Sequence, residues 1–70
     1  MRTMVHVGEK VRRLREEQAL TQEELAQKAG ITLTSVSRIE LNKAEPRPKT
    51  RRKLAEALGV EPSELLAEED

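Results

Sequence analysis

Seventy residues make one domain with a thin margin of stability, because a chain this short buries only about 60% of its unfolded surface. The absence of cysteine and the single histidine, His6, exclude disulfide staples, thiolate zinc sites and a histidine-rich metal centre. Thirteen basic and thirteen acidic residues cancel, but all thirteen bases fall between Arg2 and Lys53 beside only seven acids, a net +6, while the last seventeen residues carry the other six acids and no base.

Residues 1–6 read as a flexible N-terminus and residues 68–70 as an acidic tail, with the folded domain between them at 7–67. No stretch approaches the roughly 18 apolar residues of a membrane span. Met1 to Lys10 has no apolar core of the signal-peptide kind, so a cytoplasmic location is expected. His6 reads as a surface residue, since no cysteine or paired carboxylate accompanies it. From about Val5 to Gln18, Val7, Val11 and Leu14 recur at helical spacing with charges between them, and a first helix is predicted. Ala19 and Leu20 leave it.

Thr21 is a good N-cap with Glu24 three residues on, the pattern of a capping box. A second helix follows from Gln22 to about Ala29, with Leu25, Ala26 and Ala29 as its apolar face and Gly30 at its end, where a left-handed residue is wanted. Thr32 caps a third helix from Leu33 to about Leu41, with Val36 and Ile39 inward and Asn42 able to end it in a left-handed conformation. Pro46 and Pro48 make the segment from Lys43 a loop. A fourth helix starts near Pro48 or Lys49 and ends at Gly59, burying Leu54, Ala57 and Leu58. Pro62 suits the first position of a last short helix carrying Leu65 and Leu66.

The informative stretch is Gln22 to Leu41, two short helices joined by a tight turn with one glycine, which is the helix-turn-helix pattern. Ala26 leaves room where the two helices cross; Ile31, Val36 and Ile39 fill the angle between them. With Val36 and Ile39 inward, Leu33, Thr34, Ser37 and Arg38 are left on the outer surface. Arg38 can hydrogen-bond a guanine bidentately, and the methyl groups of Thr34 or Leu33 can pack on a thymine methyl. Gln22 stands at a helix N-terminus, where free amides and the helix dipole attract a phosphate. Lys43, Arg47 and Lys49 add phosphate-binding charge.

The run from Leu20 to Gly30 (LTQEELAQKAG), Ser37-Arg-Ile-Glu40, Leu54 to Val60 (LAEALGV) and Glu64-Leu-Leu66 together resemble the lambda-repressor-like, Xre/Cro-type helix-turn-helix family over about residues 7–67. The resemblance implies an all-α fold, a compact five-helix bundle whose third helix enters the DNA major groove. It implies base contacts from Thr32, Leu33, Thr34, Ser37 and Arg38, and phosphate contacts from Thr21, Gln22, Asn42 and Lys43, with Ser35 near the backbone too. It also implies a structural ion pair between Arg15 and Glu40. Leu33 departs from the family's usual polar residue and favours methyl or shape readout over a hydrogen bond; Leu41 is apolar where Arg or Asn is usual and reads either as an ordinary surface leucine or as one that brushes the sugar backbone.

These features point to a sequence-specific regulator of transcription, a repressor, acting on double-stranded DNA as a homodimer. The absence of Phe, Tyr and Trp tells against single strands, which are bound by stacking on aromatic rings. The dimer contact is expected from Val60, Pro62, Leu65 or Leu66 with the loop before the fourth helix. The other reading is a protein-interaction module of the same fold, antitoxin-like or coactivator-like, with a protein as its partner. Catalysis is not expected, and no cofactor or metal is called for. Ser35 and Ser37 lack a general base nearby in sequence, and Glu16, Glu17, Glu23 and Glu24 lie on helix surfaces among cations. The cluster Arg51-Arg52-Lys53 fits a wet helix face and a phosphate contact equally well.

Overall fold

The structure is a computed structural model that describes the backbone at residues 4–5, 7–66 and 68–69 and the side chains of residues 7–66. The expectations for His6, for a flexible N-terminus and for the acidic tail rest wholly or partly on residues outside these. The body is all-helical: α1 (Val7–Glu17), α2 (Gln22–Ala29), α3 (Leu33–Glu40) and α4 (Pro48–Leu58), followed by a 3-10 turn at Pro62–Leu65. Two-residue segments at its ends, β1 (Met4–Val5) and β2 (Glu68–Glu69), pair antiparallel with Met4 opposite Glu69.

Three expectations are corrected. The first helix begins at Val7, because Val5 pairs in β1, and it closes at Glu17 rather than Gln18. The third closes at Glu40, with Leu41 as its C-cap. The count of five falls to four, because the last segment is one 3-10 turn: the Glu64 N–H donates to the Glu61 carbonyl at 2.9 Å, and Leu66 is already extended at φ −95°. Four residues give too little length for the i→i+4 bonding of an α-helix to propagate.

All four α-helices stop by the same device. A residue one place beyond the helix (α2 and α4) or two places beyond it (α1 and α3) turns left-handed, and the N–H of the next residue reaches a carbonyl five positions back. Leu20 N donates to Arg15 O at 3.1 Å, Ile31 N to Ala26 O at 3.0 Å, Lys43 N to Arg38 O at 2.9 Å and Val60 N to Ala55 O at 2.9 Å. The left-handed residues are Ala19 (φ 57°), Gly30 (φ 72°), Asn42 (φ 59°) and Gly59 (φ 72°). Three of the four are residue types that tolerate this conformation. Ala19 is not, since its Cβ crowds the following carbonyl. Ala19→Gly should therefore raise stability by about 1 kcal/mol, or the melting temperature by about 4–8 °C. Thermal unfolding of the two proteins checks this, and an unchanged or lower melting temperature would refute it.

The core draws on every element of the body. Val11 from α1, Leu25 from α2, Val36 from α3, Leu54 from α4 and Leu65 from the 3-10 turn are all fully buried, with Ala26, Ile39 and Leu58 packed among them. Leu65 is thus a core residue and cannot form a dimer contact, whereas Leu66 is 44% exposed. Ala26 of α2, expected at the crossing with α3, is buried.

The first and third helices meet at Gly8. Its N–H donates to Asn42 Oδ1 at 3.1 Å, and its Cα faces the carbonyls that close α3. Two residues on, Lys10 is buried, with its Nζ donating to the Leu66 carbonyl at 3.0 Å and tying α1 to the end of the body. Lysine carries its charge into such a place because the apolar stem packs while the ammonium keeps an oxygen partner.

Candidate nucleic-acid interface

Side-chain hydrogen bonds fix the start of each helix of the α2–α3 unit. Thr21 Oγ1 accepts from Glu24 N at 3.0 Å and Glu24 Oε1 accepts from Thr21 N at 2.8 Å, completing the capping box that starts α2. Gly30 takes the turn, and Thr32 Oγ1 accepts from Ser35 N at 3.0 Å to start α3.

Helical periodicity then divides α3 into two sides. Val36, Ile39 and Glu40 are buried. Leu33 is 45% exposed, Thr34 and Arg38 are exposed, Ser37 is half-buried, and Leu41 just beyond is 60% exposed. None of the described residues forms a hydrogen bond or ion pair with the Arg38 side chain, so its guanidinium is open to a ligand. Arg38 lines a cleft of about 170 Å³ together with Ser35, Ile39, Glu45, Pro46, Arg47 and Thr50. Lys43, Arg47 and Lys49 are exposed around the loop that follows.

The underside of α3 is held by the ion pair. Arg15 Nε donates to Glu40 Oε2 at 2.7 Å and a second guanidinium nitrogen donates to Oε1 at 3.0 Å, a bidentate pair. The side chains are only 13% and 3% exposed. A third guanidinium donor reaches the Leu20 carbonyl at 2.7 Å, and Gln22 Nε2 donates to Glu40 Oε1 at 3.0 Å. The hydrogen bond to Glu40 raises the Arg15 pKa above its ordinary value, against the opposing effect of burial. One carboxylate at the end of α3 thus gathers α1 and the start of α2.

Three of the expected contact residues have other work. The Thr32 hydroxyl caps α3 and donates to Ser35 Oγ at 2.9 Å, leaving its methyl group, not its hydroxyl, as the free part. The Gln22 amide turns inward to Glu40, so an anion at this end of α2 would meet the backbone N–H groups instead. The Asn42 carbonyl accepts from Gly8, which leaves only its amide nitrogen for a phosphate. Thr21, by contrast, is exposed and keeps its hydroxyl proton. The sequence reading missed Gly8, Lys10 and the Gln22–Glu40 bond. Among the described residues no group of three or more His, Cys, Asp or Glu could hold a metal, and no helix is long and apolar enough to cross a membrane.

A family model described as helix-turn-helix matches residues 11–65. Over 58 residues the chain is 47% identical to the HTH-type transcriptional repressor RghR of Bacillus subtilis, covering 81% of this chain and 43% of that protein, so it spans less than half the length of that relative. Its fold is similar to that of the restriction-modification controller protein C.AhdI of Aeromonas hydrophila, with TM-score 0.82, 35% identity and coverage of 86% and 91% of the two chains. It is also similar to the P22 c2 repressor in complex with a synthetic operator, with TM-score 0.84, 27% identity and coverage of 89% and 94%.

Proposed function

The chain belongs to the helix-turn-helix family, and from that premise we propose that it is a sequence-specific transcriptional repressor that lays α3 in the major groove of duplex DNA. The observation that carries this reading is the outer face of α3, where an exposed Arg38 without an internal partner stands between Thr34 and the loop cations. The likeness to repressors, one of them in complex with a synthetic operator, supports it.

In this reading Arg38 bonds a guanine edge, Leu33, Thr34 and the Thr32 methyl pack on thymine methyl groups, and Ser37 donates to a base within reach. Thr21, the first-turn amides of α2, Ser35, the Asn42 amide, Lys43, Arg47 and Lys49 set the register on the phosphates. Two copies bind as a homodimer, with their α3 helices about one turn of DNA, roughly 34 Å, apart on an imperfect palindrome. With Leu65 in the core, the dimer contact falls to Val60, Pro62 and Leu66.

Selection from a random duplex library tests the reading, with a recovered motif as the expected result. A folded sample that binds no duplex even at low salt would overturn it and favour a protein-interaction module. With the selected site in hand, Arg38→Ala should weaken binding by about 1–3 kcal/mol and relax the preference at one base pair. Lys43→Ala should weaken binding to all sequences alike and flatten the salt dependence by about one unit. Identical behaviour of the two variants across sites would show that the division into reading and positioning residues is wrong.

A further inference from the structure

A second basic surface adjoins the first and shares only Lys49 with the contacts assigned above. Lys49, Arg52, Lys53 and Glu56 fall on one side of α4 at helical spacing. Lys28, from the last turn of α2, faces them across a cleft of about 360 Å³. All four cations are exposed, and none forms a hydrogen bond or ion pair with a described residue, although Glu56 borders the same cleft. Four like charges gathered without partners repel one another, and that repulsion is relieved when a polyanion takes the place of their counterions.

We propose that Lys28, Arg52 and Lys53, with Lys49, form a second phosphate-binding surface that holds the backbone of the same duplex outside the base pairs read by α3. The proposal rests on the major-groove reading of α3. Continuity favours this occupant: beyond the exposed Glu45, Arg47 leads through Pro48 to Lys49 and on to Arg52 and Lys53, so exposed cations follow one another from the end of the loop along α4. The chemistry of the cleft fits a phosphate backbone and not bases, since it offers cations and no aromatic ring for stacking. The hold is therefore independent of sequence, lengthens the DNA footprint and steepens its salt dependence.

The test compares wild type with K28Q/R52Q/K53Q on two duplexes: one ending at the selected site, and the same site extended by about one turn, roughly 10 base pairs, at each end. Lys49 is left in place because it serves the main contact. For the wild type, extension should raise affinity about tenfold or more at low salt and steepen the log–log salt slope by about 2–3 units. The triple variant should bind the short duplex as the wild type does and gain nothing from extension. An equal gain in both proteins, or an equal loss by the variant on both duplexes, would overturn the proposal. So would a surface that gathers two separate short duplexes instead of one long one. If the triple variant melts early, R52Q and K53Q singly should each remove part of the extension gain. Failure of the wild type to bind the short duplex would instead strike the α3 reading.

Discussion

Gly8→Ala is expected to destabilise the protein by about 3 kcal/mol or more, lowering its melting temperature by about 12–24 °C. A Cβ built at Gly8 falls on the Ile39 carbonyl oxygen, 2.5 Å from Asn42 Oδ1 and 2.9 Å from the Glu40 carbonyl. Two of these neighbours are backbone, so no side chain can swing aside to admit the methyl group. The helices α1 and α3 must separate, or α1 must rotate and lose the Gly8–Asn42 hydrogen bond. The Ile39 carbonyl also accepts from Asn42 N at 3.0 Å in the closing turn of α3, so the intrusion strikes the end of the helix proposed to read DNA. A domain of this size holds only about 3–5 kcal/mol in reserve, so the variant should be largely unfolded at moderate temperature. Gly30→Ala is the internal control. There the added Cβ meets nothing within 4 Å, and the only penalty is the left-handed φ of 72°, about 1–2 kcal/mol. Urea unfolding of both variants separates the causes: a Gly8→Ala loss no larger than that of Gly30→Ala would show that α1 and α3 do not approach this closely.

The difference between those two glycines also marks what the sequence discloses. Gly30 was legible because a helix end needs a left-handed residue and the apolar pattern changes there. Gly8 lies inside a helical pattern where nothing local calls for glycine; the reason for it is a carbonyl more than thirty residues away. Ala19 was illegible for the opposite reason, since alanine carries no signal for a conformation it does not favour. The outer side of α3 followed directly from the spacing of Val36 and Ile39. What the sequence did not give was which polar groups are already satisfied. Thr32, Gln22 and Asn42 looked like free donors at the rim of the site, yet each has an internal partner. Polarity is a property of a residue and satisfaction a property of its neighbours. The overestimate of the last segment has a similar origin. Pro62 announces a helical start and Leu65 and Leu66 an apolar pair, but neither sets a length, and the chain turns away after four residues.

Removing either partner of the Arg15–Glu40 pair should cost about 3–5 kcal/mol, because the survivor is left charged in a place where water scarcely reaches. Glu40→Ala leaves the Arg15 guanidinium with one oxygen partner, the Leu20 carbonyl, and leaves the Gln22 amide without Glu40 Oε1. Arg15→Ala strands a carboxylate whose side chain is 3% exposed, with only Gln22 to bond it. The two losses should not add. Once one charge is gone, removing the other relieves an unpaired ion, so the double alanine variant should be more stable than the sum of the single effects implies. Substitution of both residues by methionine, which fills the space without charge, should come closer still to the wild type. Single losses of only about 0–1 kcal/mol in thermal unfolding would mean that water screens the pair, and the account of it as a buried clamp would fall. The functional readout is independent of stability. The pair joins α1, the start of α2 and the end of α3, so the methionine double variant, although folded, should lose discrimination between the selected site and random duplex. A folded double variant that discriminates as well as the wild type would confine the pair to stability and remove it from the positioning of α3.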